Sequence, residues 1–184
     1  MRAQPAIWYS FRMGELTKAA IGQDSHRFAA QMPEQAQIDE RRTLILGGVE
    51  FPGEPPLEGN SDCDVVLHAL CNAISGITCV NILGEVADRM CLVEGITDSS
   101  AYVKEAMKYL GADKIVHVSF SIECARPAIS PKIREMREYI ASLLGIGTGG
   151  VGITATSGEG LTDFGRGLGI QVFCIIAATS KMGA

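Results

Sequence analysis

Apolar and polar residues alternate from Val116 to Glu123 (VHVSFSIE), the period-2 pattern of a strand with one buried face. The same reading predicts strands at Gly152 to Ala155 and Gly169 to Ala178, and a short one at Ala20 to Gln23 running into Asp24-Ser25-His26. Arg42 to Leu46, then Gly47-Gly48 and Val49 to Phe51, reads as a hairpin. Elsewhere the period changes. In Asp62 to Ser75, Val65, Val66, Ala69, Leu70, Ala73 and Ile74 recur at the spacing of a half-buried helix, with Ser61 or Asp62 as its N-cap and Asp64 in its first turn. Further helices are expected over Ser99 to Leu110, ending at Gly111, and over Pro131 to Leu144, stopped by Gly145. Ala29 to Glu40 is polar without periodicity and reads as a loop, and Gly53 to Gly59 as a connector. Hairpins mixed with crossovers predict an α/β fold, a mixed β-sheet packed on helices in a single-domain sandwich.

Composition narrows the classes. The chain has 184 residues, enough for one core, and its formal net charge of −5 argues against nucleic acid as the partner, because phosphate backbones demand a basic field. No apolar run approaches the roughly 20 residues of a membrane span. The six cysteines form no Cys-x-x-Cys pair or regular framework, so reduced thiols in a cytoplasmic protein are expected. Residues 1–20 carry Arg2, Arg12 and Lys18 without a long apolar stretch, which does not suit a secretory signal. They read as an N-terminal extension, with an organelle-targeting segment or a true start at Met13 as alternatives; residues 21–184 form the domain.

Three residues stand out as chemistry. Asp24 and His26 end the first strand and His68 lies on the following helix, together three donors of metal-binding type that leave one position open, as catalysis requires. Two of the chain's three histidines are in this set; the third, His117, alternates on a strand and receives no role. Around them, Gly59-Asn60-Ser61-Asp62 forms a turn opening the helix, whose N–H groups are expected to hold an anion. A second stretch, Thr154 to Gly160 (TATSGEG), follows a strand with small hydroxyls and glycines suited to phosphate oxygens. Glu159 in its midst would repel a phosphate unless a divalent cation lay between them. Asp62 and Asp64 read as helix N-terminal charges, Asp64 also as an orienting partner for an imidazole.

D-S-H, S-D-C-D-V-V-L-H-A-L, the I-x-x-x-x-P-x-x-x-P run from Ile122 to Pro131, and A-T-S-G-E followed by F-G-R-G-x-G-I occur in this order. In them the chain resembles the 2-C-methyl-D-erythritol 2,4-cyclodiphosphate synthases of the non-mevalonate isoprenoid pathway, over about Ile21 to Thr179. The resemblance implies a phosphorus–oxygen lyase that cyclises 4-diphosphocytidyl-2-C-methyl-D-erythritol 2-phosphate and releases CMP. It implies Zn²⁺ on Asp24, His26 and His68, a second cation (Mg²⁺ or Mn²⁺) at Glu159, and a homotrimer with sites between subunits. Asn60 and Ser157 take the catalytic positions. Substrate contacts are implied for Asp24, His26, Asn60, Ser61, Cys124, Ala128, Ala155, Thr156, Ser157, Gly158 and Arg166, the cytidine lying near Cys124 to Ser130. The pathway occurs in bacteria and plastids, so a cytoplasmic or plastid location follows.

The chain also departs from the pattern. Asn60 stands where the family usually has His, Pro127-Ala128 where Pro-Lys is usual, Leu168 where many bacterial members have Glu, and Ile82 to Met90 keeps little of the usual phosphate loop. A divergent paralogue that binds an isoprenoid or nucleotide diphosphate without turnover is therefore the alternative.

Overall fold

The computed structural model describes residues 15–29 and 42–181. Residues 1–14 and most of the loop expected at Ala29 to Glu40 lie outside the described residues.

A four-stranded mixed sheet carries the fold. Strand β1 (Glu15–Arg27) pairs antiparallel along its whole length with β6 (Gly169–Lys181), β6 pairs antiparallel with β4 (Lys114–Glu123), and β4 pairs parallel with β5 (Val151–Thr156). The short hairpin β2 (Leu44–Leu46) and β3 (Val49–Phe51) stands apart as its own ladder, at the position read from the sequence. The helices are α1 (Val65–Thr78), α2 (Glu85–Asp88), α3 (Ser99–Met107) and α4 (Ile133–Leu144). None of the described helices is long and apolar enough to cross a membrane.

Period-2 alternation builds the core. Val118, Phe120 and Ile122 of β4 and Ile170, Val172, Cys174 and Ile176 of β6 are all buried on one face, against which α1 packs. The opposite face stays open: Ile21, Phe173 and Ile175 are exposed there.

Three expectations change. The first strand is not confined to Ala20 to Gln23 but begins at Glu15, so residues 15–20, read as part of the extension, lie in the sheet. Its first six residues, Glu15 to Ala20, show no apolar alternation; pairing with the equally long β6 holds them extended, and Lys18 adds an ion pair to Asp113 at 2.7 Å. The N-cap of α1 is Asp64, not Ser61 or Asp62. The segment Ile82 to Met90, read as a loop, contains α2 and runs into a single π-helical turn, Arg89–Val93. Ile82, Ala87 and Met90 are buried and dock that turn into the core.

Candidate active site

Strand periodicity places Asp24 and His26, two residues apart, on the face of β1 that looks toward α1. Helix α1 can come close enough to meet them because β1 carries glycine at position 22. A Cβ there would stand 2.2 Å from the Ala69 carbonyl oxygen and 2.2 Å from the Ala73 nitrogen. His68, one residue before Ala69, is delivered to the carboxylate as a result.

The three side chains converge. Asp24 Oδ2 lies 2.9 Å from His68 Nδ1 and 3.1 Å from His26 Nε2, and those two ring nitrogens are 3.2 Å apart. One donor atom from each residue falls within 4.8 Å of the others, and among the described residues no other acid, histidine or cysteine cluster does this. One carboxylate and two imidazoles make a borderline donor set suited to zinc, so the residues present fit the ion the sequence implies.

Each ring is tied from behind. His26 Nδ1 lies 2.9 Å from the Glu58 carbonyl oxygen, which can only accept, so Nδ1 carries the proton and Nε2 offers its lone pair to the cluster. His68 Nε2 lies 2.9 Å from the Ser99 hydroxyl. Neither contact has a local sequence signal, since Glu58 acts through its backbone and Ser99 lies 31 residues beyond His68.

Electrostatics follow the geometry. Burial opposes ionisation of Asp24, but hydrogen bonds and charge from His26 and His68 outweigh it and hold its carboxyl well below the usual carboxylate range. Burial works against the charged form of His26, yet its hydrogen bond to Asp24 and the neighbouring charge raise it above the ordinary histidine value.

The cluster opens into a cavity of about 380 Å³ lined also by Asn60, Ser61, Asn72, Tyr102 and the α2 segment from Leu83 to Cys91. His26 borders a second cavity, of about 650 Å³, formed with Arg27, Glu58, Phe164 and Leu168. Arg42 holds the intervening turn in place by donating to the carbonyls of Gly59 at 2.8 Å and Ser61 at 2.5 Å. Asn60 and Ser61 thus line the same cavity as Asp24, His26 and His68.

Two expectations near α1 are overturned. Its first N–H groups are not free for an anion: those of Val66 and Leu67 both donate to Asp64 Oδ1 at 3.1 Å. Nor does Asp64 orient an imidazole. Its fully buried carboxyl also accepts from Gly47 and Gly48 at 2.8 and 2.6 Å, locking the β2–β3 turn to the helix. Burial, only partly offset by these donors, raises this carboxyl to about 6. The acid that reaches a ligating histidine is Asp62, through Ser99.

The second predicted stretch lies elsewhere in the subunit. Ala155 and Thr156 end β5, and Ser157, Gly158 and Glu159 form a turn that lines neither cavity. Ser157 Oγ donates to Glu159 Oε1 at 3.0 Å, and Glu159 adopts a left-handed φ of 50°. The Cys124 N–H reaches the Thr156 carbonyl at 3.1 Å, so the stretches expected to take cytidine and diphosphate are neighbours. Ala128 is exposed, Arg126 is paired with Glu54 at 2.8 Å, and Arg166 is paired with Asp163 at 2.6 Å. All six cysteines are unpaired, with burial pushing the Cys71 thiol up to about 12 and Cys124 up to about 11.

Comparison with known proteins converges on one group. The YgbB family model matches residues 17–179. A Chlamydia felis 2-C-methyl-D-erythritol 2,4-cyclodiphosphate synthase is 48% identical over 167 residues, 90% of this chain and 91% of the relative, and one from Chlamydia caviae is 50% identical over 160 residues, 86% and 87%. Among solved structures, the bifunctional IspDF of Campylobacter jejuni superimposes with a TM-score of 0.78 at 23% identity, over 90% of this chain and 43% of that one. The Plasmodium falciparum IspF, solved as a CDP complex, gives 0.71 at 22%, over 90% and 97%. These two establish the fold. The match of the family model across most of the chain, with relatives near half identical over almost their whole length, shows that the chain belongs to the 2-C-methyl-D-erythritol 2,4-cyclodiphosphate synthase family.

Proposed function

We propose that the protein converts 4-diphosphocytidyl-2-C-methyl-D-erythritol 2-phosphate into 2-C-methyl-D-erythritol 2,4-cyclodiphosphate and CMP. The observation that carries this reading is the convergence of Asp24, His26 and His68 at the mouth of a cavity shared with Asn60 and Ser61. A purely diphosphate-binding paralogue, which Asn60 and the altered Ile82 to Met90 segment would suit, has little use for an open metal position.

In the reaction, an oxygen of the 2-phosphate attacks the β-phosphorus, the bond from that phosphorus to the bridging oxygen breaks, and CMP leaves with the bridging oxygen. No protein nucleophile is required; catalysis is positioning and charge neutralisation. Asp24, His26 and His68 would hold Zn²⁺. Bound there, the ion supplies Lewis acidity toward a phosphate oxygen. The amide of Asn60 donates a hydrogen bond into the same cavity, in place of a charged group. Ser157 contributes a hydroxyl to the diphosphate, and Glu159 the carboxylate for a second divalent cation, Mg²⁺ or Mn²⁺. Cys124 to Ser130 takes the cytidine.

The Ser157–Glu159 turn lies outside the cavity of its own metal cluster, which suits a site completed by a neighbouring subunit. The open apolar sheet face, with Ile21 and Ile175 directly opposite each other on β1 and β6, supports a homotrimer closed through that face. Reduction of the six cysteines suits a cytoplasmic location.

The test is to incubate zinc-loaded protein with the substrate and Mg²⁺ and follow phosphorus NMR. Appearance of CMP and the cyclic diphosphate together is expected; zinc-bound protein that yields neither would return the binding-only paralogue.

A further inference from the structure

We infer that Ser99 and Asp62 are positioning residues that set the tautomer of His68 and thereby decide which of its nitrogens ligates the metal. The inference rests on the reading of Asp24, His26 and His68 as a metal site and concerns groups outside that donor set.

Ser99 is the first residue of α3 and is fully buried, and its hydroxyl lies between two partners. On one side is His68 Nε2, at 2.9 Å; on the other is Asp62 Oδ1, in a short hydrogen bond. A hydroxyl has a single proton to give. The Asp62 carboxylate offers none, so the serine proton points to Asp62 and the serine oxygen is left to accept from His68. Acceptance is only satisfied if Nε2 of His68 bears hydrogen, and the neutral ring then presents the bare Nδ1. That nitrogen is the one facing Asp24 and His26, 2.9 and 3.2 Å away.

Asp62 is itself held so that this polarity cannot reverse. Its Oδ2 accepts the Ser99 N–H at 3.0 Å, its Oδ1 accepts the Asp64 N–H at 3.1 Å, and its own N–H donates to the Thr97 carbonyl at 2.9 Å. Every hydrogen-bond partner of the carboxylate is a donor. The loop before α1 and the start of α3 are joined by these bonds, and the joint stands directly behind the ligating ring. The two rings are thus primed in opposite senses: the Glu58 carbonyl leaves Nε2 of His26 free, and the Ser99–Asp62 pair leaves Nδ1 of His68 free. Partners of this kind orient ligands and raise their basicity.

The experiment titrates zinc alone into wild-type protein and Ser99→Ala by calorimetry and records ¹⁵N-histidine spectra of both zinc-loaded proteins. Loss of zinc affinity by about ten- to a hundredfold is expected for Ser99→Ala, with the unfolding midpoint of the metal-free variant close to wild type. In the wild-type spectrum His68 should ligate through Nδ1 and show a protected Nε2 proton, and in the variant that proton should exchange rapidly with water. Unchanged affinity in folded Ser99→Ala would overturn the inference, as would wild-type His68 ligating through Nε2. Should the variant fail to fold, the wild-type spectrum alone decides. Wild-type protein that takes up no zinc would remove the metal reading itself and this inference with it.

Discussion

Gly22 of β1 and Ala73 of α1 touch backbone to backbone: a Cβ on Gly22 would lie 2.2 Å from the Ala73 nitrogen, far inside van der Waals contact. The obstacle is helix backbone, which cannot rotate away as a side chain would. Gly22→Ala therefore pushes α1 off the strand and carries His68 away from Asp24. The expected cost is on the order of 3 kcal/mol, the upper end for overpacking, together with weakened zinc binding. Thermal unfolding and a zinc titration on the same preparation check both; a variant with wild-type melting and zinc affinity would show that the close approach is dispensable.

His68→Ala removes one of three donors and opens the cluster to water. Zinc content of the purified variant should fall to near nothing and CMP release with it, because two remaining donors bind zinc too weakly to survive dialysis. Elemental analysis and phosphorus NMR read the two effects separately. Activity persisting in zinc-free protein would sink the metal role.

The donor trio was legible before the fold was known because it depends on short-range periods. Asp24 and His26 share a face by strand alternation, and His68 falls in a helix whose apolar spacing is plain. What could not be read depends on distant partners. Ser61 or Asp62 was expected to cap α1, with Asp64 inside its first turn; Asp64 takes the role because the N–H groups of Gly47 and Gly48 also reach it, and that contact belongs to the β2–β3 turn. Asp62, thus released, turns to Ser99, which no local pattern connects with His68. The α2 segment was hidden for a related reason, since its buried residues fall before it (Ile82), within it (Ala87) and in the π-helical turn after it (Met90), with no single helical period.

Zinc and protons compete for the cluster, and the direction of each shift sets the pH response of the metal-free protein. The Asp24 carboxyl is held below its unfolded value of 3.8, so its contribution to stability is present above that value and is lost as pH falls through the lower folded value. His26 is raised above 6.5; its contribution is complete below that value and is lost as pH climbs through the raised one. As pH rises from 6.5 through the raised folded value of His26, the chelator-treated protein should melt progressively earlier. Zinc reverses the trend, because it requires neutral His26 and binds more tightly as the proton leaves. Melting curves with chelator and with zinc should therefore diverge as pH rises; parallel curves would mean that His26 is not a ligand.

Ile175 sits at the centre of the open sheet face, about half exposed, with Ile21 opposite it on β1 and Phe173 two residues away on the same side of β6. A strand edge is not at issue here; the apolar surface is the flat of the sheet, which a soluble monomer seldom leaves bare. If three subunits close on that face, a charge at its middle is buried without a partner, and assembly should fail. Ile175→Asp is expected to sediment as a monomer while keeping the α/β fold, since its side chain touches none of the core on the helix side. Catalysis should fall with assembly, because the Ser157–Glu159 turn would no longer reach a neighbour's metal cluster, whereas zinc binding by Asp24, His26 and His68, all from one subunit, should persist. Analytical ultracentrifugation, zinc titration and CMP release separate these outcomes. A monomeric variant with undiminished turnover would show that each subunit completes its own site; a variant that still sediments as a trimer would move the interface to another face.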